Sequence, residues 1–280
     1  MAIKEIVIDS LKYPLSDWKK ILTLGIIIFA ISLARSSDYL GVTNVVIYRL
    51  FIIAGFIIGF FVNGYLFRIL KSSLDDVNEL PKFDNWIEML RDGLKIYLVA
   101  LVYILPAILI LLHSMFLMTS SFPEVLSMYG IDFNSLIIDN IIQSQVGEFF
   151  LFSAGSLSFI SSFMPIYSTA GIIYLVVIVP LFLMALANMA DYDGDLFSAF
   201  QFSEIIGEIN YIGWGNLIKW YLTVFFIFNL LFAVPALIRF LSHFNRELGG
   251  FIVWGLSSLI WLPYLYIFFI RSVALIYLSE

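Results

Sequence analysis

Six long apolar stretches fill nearly half of this 280-residue chain, and none of its 21 carboxylates lies inside any of them. They run over 18–34, 45–67, 96–118, 166–190, 217–240 and 251–270. Hydrocarbon cannot solvate charge, so a chain that segregates its acids this way is built for a bilayer. A helix needs about 20 mostly apolar residues to cross. The first stretch is the shortest, and Trp18 suits it as an interfacial anchor. The expected fold is an all-α integral membrane protein of about six transmembrane helices with added interfacial amphipathic helices.

Composition narrows the class further. Only 13% of the residues are charged and 61% are hydrophobic, where soluble domains carry about 25% charged residues. The mean hydropathy is +0.98. A net charge of −6 with no basic stripe excludes nucleic acid as a partner. Cysteine is absent, so disulfides and thiolate metal sites are excluded. Lys4, Lys12, Lys19 and Lys20 precede the first stretch, but Glu5, Asp9 and Asp17 are mixed among them. A retained span is therefore expected rather than a cleaved leader.

Lysine and arginine set the expected orientation. With the N-terminus inside, eleven cations face the cytoplasm, from Lys4 through Arg68, Lys71 and Lys95 to Lys219 and Arg271. Four, Arg35, Arg49, Arg239 and Arg246, face outward. The segment 119–165 contains no Lys or Arg and carries Glu124, Asp132, Asp139 and Glu148. It is expected outside, with both termini cytoplasmic and the protein in the cell (plasma) membrane.

Three segments are amphipathic. Ile3, Ile6, Val7 and Leu11 share one helical face, and Trp86, Leu90 and Leu94 recur at four-residue spacing behind a capping Asp84. Leu136, Ile137 and Ile141 punctuate the outer segment. Each fits a helix in the headgroup plane or one packed on the spans.

The chain also repeats itself. Asp75, Asp76 and Glu79 open a turn that leads through an amphipathic stretch to Lys95-Ile96-Tyr97-Leu98. Asp191, Asp193 and Asp195 open another, which leads through Phe200, Phe202, Ile205 and Ile209 to Lys219-Trp220-Tyr221-Leu222. Pro106-Ala107-Ile108 then matches Pro235-Ala236-Leu237, with five residues inserted between the two matches. A parallel 3+3 repeat follows, within one membrane domain over 1–280, with halves 1–118 and 149–280.

Tyr13-Pro14, Gly64-Tyr65-Leu66-Phe67-Arg68 and Leu80-Pro81 stand out as landmarks, followed by Asp84, Trp86 and Asp92-Gly93-Leu94-Lys95. Together they resemble the domain of unknown function 4013 family of prokaryotic, mainly archaeal, multi-pass membrane proteins. The resemblance implies an integral membrane protein and no particular activity. More loosely, the fourth stretch and Ser198-Ala199-Phe200 are similar to membrane domains fused to some glycerophosphodiester phosphodiesterases, whose catalytic domain has no counterpart here.

Candidate site residues are few. Pro106, Pro180, Pro235 and Pro263 are helix-kink or gate positions. Asn63, His113, Asn188 and Asn229 are intramembrane polar groups expected to face other helices. Asp191, Asp193 and Asp195 form an acidic cluster whose spacing fails the EF-hand pattern, because Gly194 is fourth and Phe202 twelfth. A polar turn with Asp195 capping the next helix is the plainer reading. Arg49, Arg239 and Arg271 lie near stretch ends and are expected to reach lipid phosphates. Gly55 and Gly59 suit close helix contact. Ser257 would need His243 as its base, and no phosphate loop or His-Glu-x-x-His helix occurs. No enzyme activity, cofactor or metal is expected. The expected partners are membrane lipids and a membrane protein or a second copy of the chain. The two main functional readings are a scaffold, assembly factor or complex subunit, and a transporter or channel for a neutral or lipidic molecule; a third, an intramembrane hydrolase, rests on Ser257 alone.

Overall fold

The computed structural model describes residues 2–35, 45–117, 167–241, 253 and 255–279. The segment 119–165, with the amphipathic stretch expected in it, and His243 lie outside the described residues. The described elements are all helical. They are α1 (Ile3–Lys12), α2 (Trp18–Arg35), α3 (Val45–Leu74), α4 (Trp86–Leu117), α5 (Tyr167–Asp191), α6 (Phe202–Ile212), α7 (Trp214–Leu241) and α8 (Leu262–Tyr277). Two 3-10 turns, Tyr13–Ser16 and Phe197–Phe200, and a π-helical turn, Ser257–Trp261, complete them. Among the described residues, four segments are long and apolar enough to span: Arg49–Leu74, Trp86–Leu109, Trp214–Pro235 and Ser257–Tyr277.

The described chain groups into two compact units, one of Met1–Ile96 with Leu183–Glu280 and one of Tyr97–Phe182. In the second, Tyr174 donates its hydroxyl to the Tyr103 carbonyl at 2.9 Å, and the Tyr103 and Phe182 rings lie 5.8 Å apart. Pro106 and Pro180 lie inside α4 and α5.

In the first unit, α8 is the centre. Ile267, Phe268, Phe269, Ile270, Val273 and Ala274 are all buried, and α1, α2, α3 and α7 pack around the helix. The amphipathic α1 is one of these packed helices: Ile6, Val7 and Ser10 are buried, and Tyr264 on α8 donates to the Leu11 carbonyl at 2.8 Å. Asp17 starts α2, accepting from the Lys19 and Lys20 amides at 3.0 and 3.3 Å. The π-helical turn precedes Pro263, which stands in the first turn of α8, where its missing N–H is tolerated. Proline there removes the donor that an α-helix would offer to the Leu259 carbonyl. That carbonyl faces Gly25 on α2, so tightly that a Cβ at Gly25 would overlap it.

Two expectations change here. The amphipathic stretch after Pro81 is no separate interfacial helix but the opening turns of the 32-residue α4. Its Trp86 and Leu94 point outward, at 47% and 46% exposure, while Met89, Asp92 and Gly93 are buried. In lipid the large apolar face can turn outward, and small or polar residues make the helix contact. Gly64 on α3 and Gly93 on α4 meet the Phe60–Met89 backbones so closely that a Cβ at either would overlap a carbonyl. The second change concerns Gly59, where an added Cβ would meet nothing within 4 Å. Gly64, not Gly59, is a position of close approach on α3.

Candidate functional site

The chain between α3 and α4 cannot satisfy its own backbone. It includes Pro81, which has no N–H, and left-handed Asp76 (φ 56°) and Asn85 (φ 48°). Side chains from four other elements take its carbonyls instead. The Tyr13 hydroxyl donates to the Glu79 carbonyl at 3.1 Å, Lys20 Nζ to Leu80 at 2.6 Å, and the Tyr65 hydroxyl to Pro81 at 3.0 Å. Arg68 Nη1 donates to the Asp84 carbonyl at 2.6 Å and to its Oδ1 at 2.8 Å. Its Nη2 reaches the Asn85 carbonyl at 3.2 Å and Glu88 Oε2 at 3.0 Å. Phe83 stacks on Tyr65 with centroids 3.8 Å apart.

Arg271, on α8, closes this knot. It is 1% exposed. Nε donates to Asp9 Oδ1 at 3.0 Å, Nη1 to the Val77 carbonyl at 3.3 Å and Nη2 to Asn78 Oδ1 at 2.7 Å. The guanidinium carbon sits 4.6 Å from the Tyr13 ring centroid. The expected lipid-facing role for Arg271 is therefore corrected: α1, the turn and Tyr13 surround it. A buried guanidinium persists only when its donors are taken up, and here α1 and the turn supply the acceptors while the Tyr13 ring covers a face. Burial pushes the Tyr13 phenol above its ordinary pKa, against hydrogen bonds with Ser72 and Ser73 and the Arg271 charge, which lower it. The phenol stays protonated and can donate.

Asp84 does not cap α4. The first helical bonds, from the Glu88 and Met89 amides at 2.9 and 3.1 Å, run to the Asn85 carbonyl, and the Asp84 carboxylate pairs with Arg68. Desolvation is the largest single influence on Asp17 and raises its pKa, but hydrogen bonds from the Lys20 side chain and the Lys20 and Lys19 amides, with the Lys20 charge, together outweigh it and hold the carboxyl below its ordinary range.

The second turn, after α5, is smaller. Asp193 (φ 54°) and Gly194 (φ 81°) are left-handed, and the Gly194 amide donates back to the Met189 carbonyl at 2.8 Å. Lys95 Nζ donates to the Gly194 carbonyl at 2.7 Å, and Lys71 pairs with Asp193 at 3.3 Å. Asn188 is 1% exposed. Its amide donates to the Ser198 carbonyl at 2.9 Å, and its Oδ1 accepts from Tyr277 at 3.2 Å. The Asp195 carbonyl accepts from the Ser198 hydroxyl at 2.6 Å, and α6 begins only after Gln201. Among the described residues no group of three His, Cys, Asp or Glu could hold a metal. The Tyr192 hydroxyl bonds Glu204 at 2.5 Å, and that bond raises its pKa.

Asn63 is buried on α3. Asn229 donates to the Phe225 carbonyl of its own helix at 2.8 Å. Pro235 lies inside α7, half-buried. His113 lies in α4. Ser257 donates to the Val253 carbonyl at 2.6 Å. Sequence reasoning missed Arg271, Tyr13 and Tyr65 as one cluster, although Tyr13, Tyr65, Arg68, Leu80 and Pro81 are all landmarks of the family resemblance.

A chain whose described elements are all helical, with long apolar helices this bare of charge, is a multi-pass membrane protein. Its residues 47–244 match the family described as a protein of unknown function, DUF4013, and the chain belongs to that family. It is also similar to an uncharacterised protein of the archaeon Methanocaldococcus jannaschii, 27% identical over 135 residues, a stretch covering 39% of this chain and 48% of that protein. The match thus spans about half the length of this curated relative. No solved structure matches.

Proposed function

We propose that the protein is a non-enzymatic scaffold, assembly factor or complex subunit of the plasma membrane. It crosses six times in a parallel 3+3 arrangement with both termini in the cytoplasm, and its partners are lipids and another membrane protein or a second copy. One observation carries this reading. The buried or half-buried cations Lys20, Arg68, Lys95 and Arg271 are bonded to the chain's own turns. Such bonds make a rigid presenting surface rather than a reactive one. The recurring helix ending, with left-handed Asp76 after α3 and Asp193 after α5, supports the repeat. Purification in nanodiscs followed by mass spectrometry of everything retained tests the reading. A stoichiometric protein partner, or a defined oligomer of the chain, supports it. A monomer carrying only a small molecule overturns it.

The π-helical turn next to Pro263 favours a second reading, a transporter or channel for a neutral or lipidic molecule, since such turns often mark functional positions. Pro106 and Pro235, at matching places inside α4 and α7, fit it as well. Uptake of that molecule into liposomes, lost in Pro106→Ala and Pro235→Ala, would favour this reading.

A further inference from the structure

Exposed aromatic residues gather at the end of the first unit that holds both turns. Trp18, Trp86 and Trp214 are each the first residue of a long helix, α2, α4 and α7. They are 51%, 47% and 43% exposed. The contacts already described bring these starts to one end. Lys20, near the start of α2, reaches Leu80 just before α4, and Lys95 reaches the second turn. A pocket of about 250 Å³ is lined by Ala2 and Ile3 beside Asn216 and Lys219, and so sets the start of α7 against that of α1. Tryptophan prefers the boundary between headgroups and acyl chains, so three at helix starts mark the depth of that boundary.

The helix α6 leads into Trp214 from this end. Its Ile205, Ile209 and Ile212 are buried against the protein. A second apolar edge, Phe202 and Ile206, is 53% and 42% exposed, and Phe197 in the preceding 3-10 turn is 75% exposed. On a helix wheel Glu204 and Glu208 fall on the opposite side from Phe202 and Ile206. A helix in water would place charge on that exposed edge. Directly after Gly213, the spanning α7 exposes Ile218, Leu222 and Phe226 at 50%, 56% and 69%, spaced four apart. Lipid covers a span's outward face, and α6 is joined to the start of that span through Gly213 alone.

We propose that α6 and the Phe197–Phe200 turn lie in the lipid headgroup layer. Phe197, Phe202 and Ile206 reach the acyl boundary, about 5–10 Å in, and Glu204 and Glu208 turn to water. The occupant of this face is the bilayer surface itself. The chain has no cysteine, so each introduced one is unique. The test uses Phe197→Cys, Ile206→Cys and Glu208→Cys, each labelled with an environment-sensitive fluorophore and held in nanodiscs. Labels at 197 and 206 should emit to the blue of the 208 label and resist aqueous iodide severalfold better. Lipid brominated near the headgroup should quench them more than lipid brominated at the chain ends. Equal iodide access at 206 and 208 overturns the proposal. Labels shielded from iodide yet indifferent to brominated lipid also overturn it, in favour of protein contact. Positions 197 and 206 are separate readouts, so misfolding of one variant leaves the other decisive.

Discussion

The two turns at the Lys/Arg-rich end begin alike and then part. Helices α3 and α5 both close on a left-handed aspartate, Asp76 or Asp193, with a following amide bonded five residues back, Val77 to Ser72 and Gly194 to Met189. After Asp76 the chain travels to Asn85 almost without internal bonds, held by Tyr13, Lys20, Tyr65, Arg68 and Arg271. After Asp193 it folds locally through Ser198 and Asn188. The first then launches one continuous helix, α4. The second launches α6, breaks at Gly213 (φ 88°) and starts again as α7. The first turn is held almost wholly by distant parts of the chain, whereas the second adds local bonds of its own to the distant Lys71 and Lys95 contacts. Their tolerance of mutation should differ accordingly.

The largest effect is expected at Arg271. Arg271→Ala leaves Asp9, Asn78 and the Val77 carbonyl without their donor and should cost about 3–5 kcal/mol in a reversible detergent unfolding assay. Arg271→Met should cost clearly less, because it fills the volume without a charge. Equal stability of the wild type and the alanine variant would dissolve the contrast between the turns. Next come Gly64→Ala and Gly93→Ala, which drive a methyl into a backbone carbonyl and should cost about 1–3 kcal/mol. Gly59→Ala, with space around it, should stay within about 0.5 kcal/mol. In the second turn's territory, Gly213→Ala forces a side chain into a backbone conformation it avoids. A loss above about 1 kcal/mol is expected by the same assay. Tyr65→Phe removes one bond to the Pro81 carbonyl and should cost about 1 kcal/mol, with faster amide exchange confined to the residues after Pro81. The smallest effect belongs to Lys71→Ala. Its partner Asp193 is fully exposed, so thermal stability should not move measurably.

The helices were legible because lipid demands long apolar runs: where the stretches are described they are helical, and four segments are long and apolar enough to span. Their edges were less so. The amphipathic residues 86–95 read as a separate helix, since nothing local says that Lys95 lies mid-helix rather than at a break. The corresponding break in the second half is written in Gly213. Arg271 was misread for a deeper reason. Its position near a stretch end fits a cation reaching for phosphate, while its partners Asp9 and Asn78 are 262 and 193 residues away. No spacing rule connects such residues. The landmarks Tyr13, Gly64, Tyr65 and Arg68 could be recognised as a set, but their shared task, holding the turn before α4, needed coordinates.

The bond between Asp9 and Arg271 also sets a schedule for biogenesis. Asp9 leaves the ribosome 262 residues before its partner. At about 5–20 residues per second, roughly 15–50 s pass before the guanidinium exists. Throughout that interval the first helix and the turn before α4 stand open to chaperones and to membrane proteases. A nascent chain halted before Arg271 therefore carries a marker of incompleteness at its opposite end.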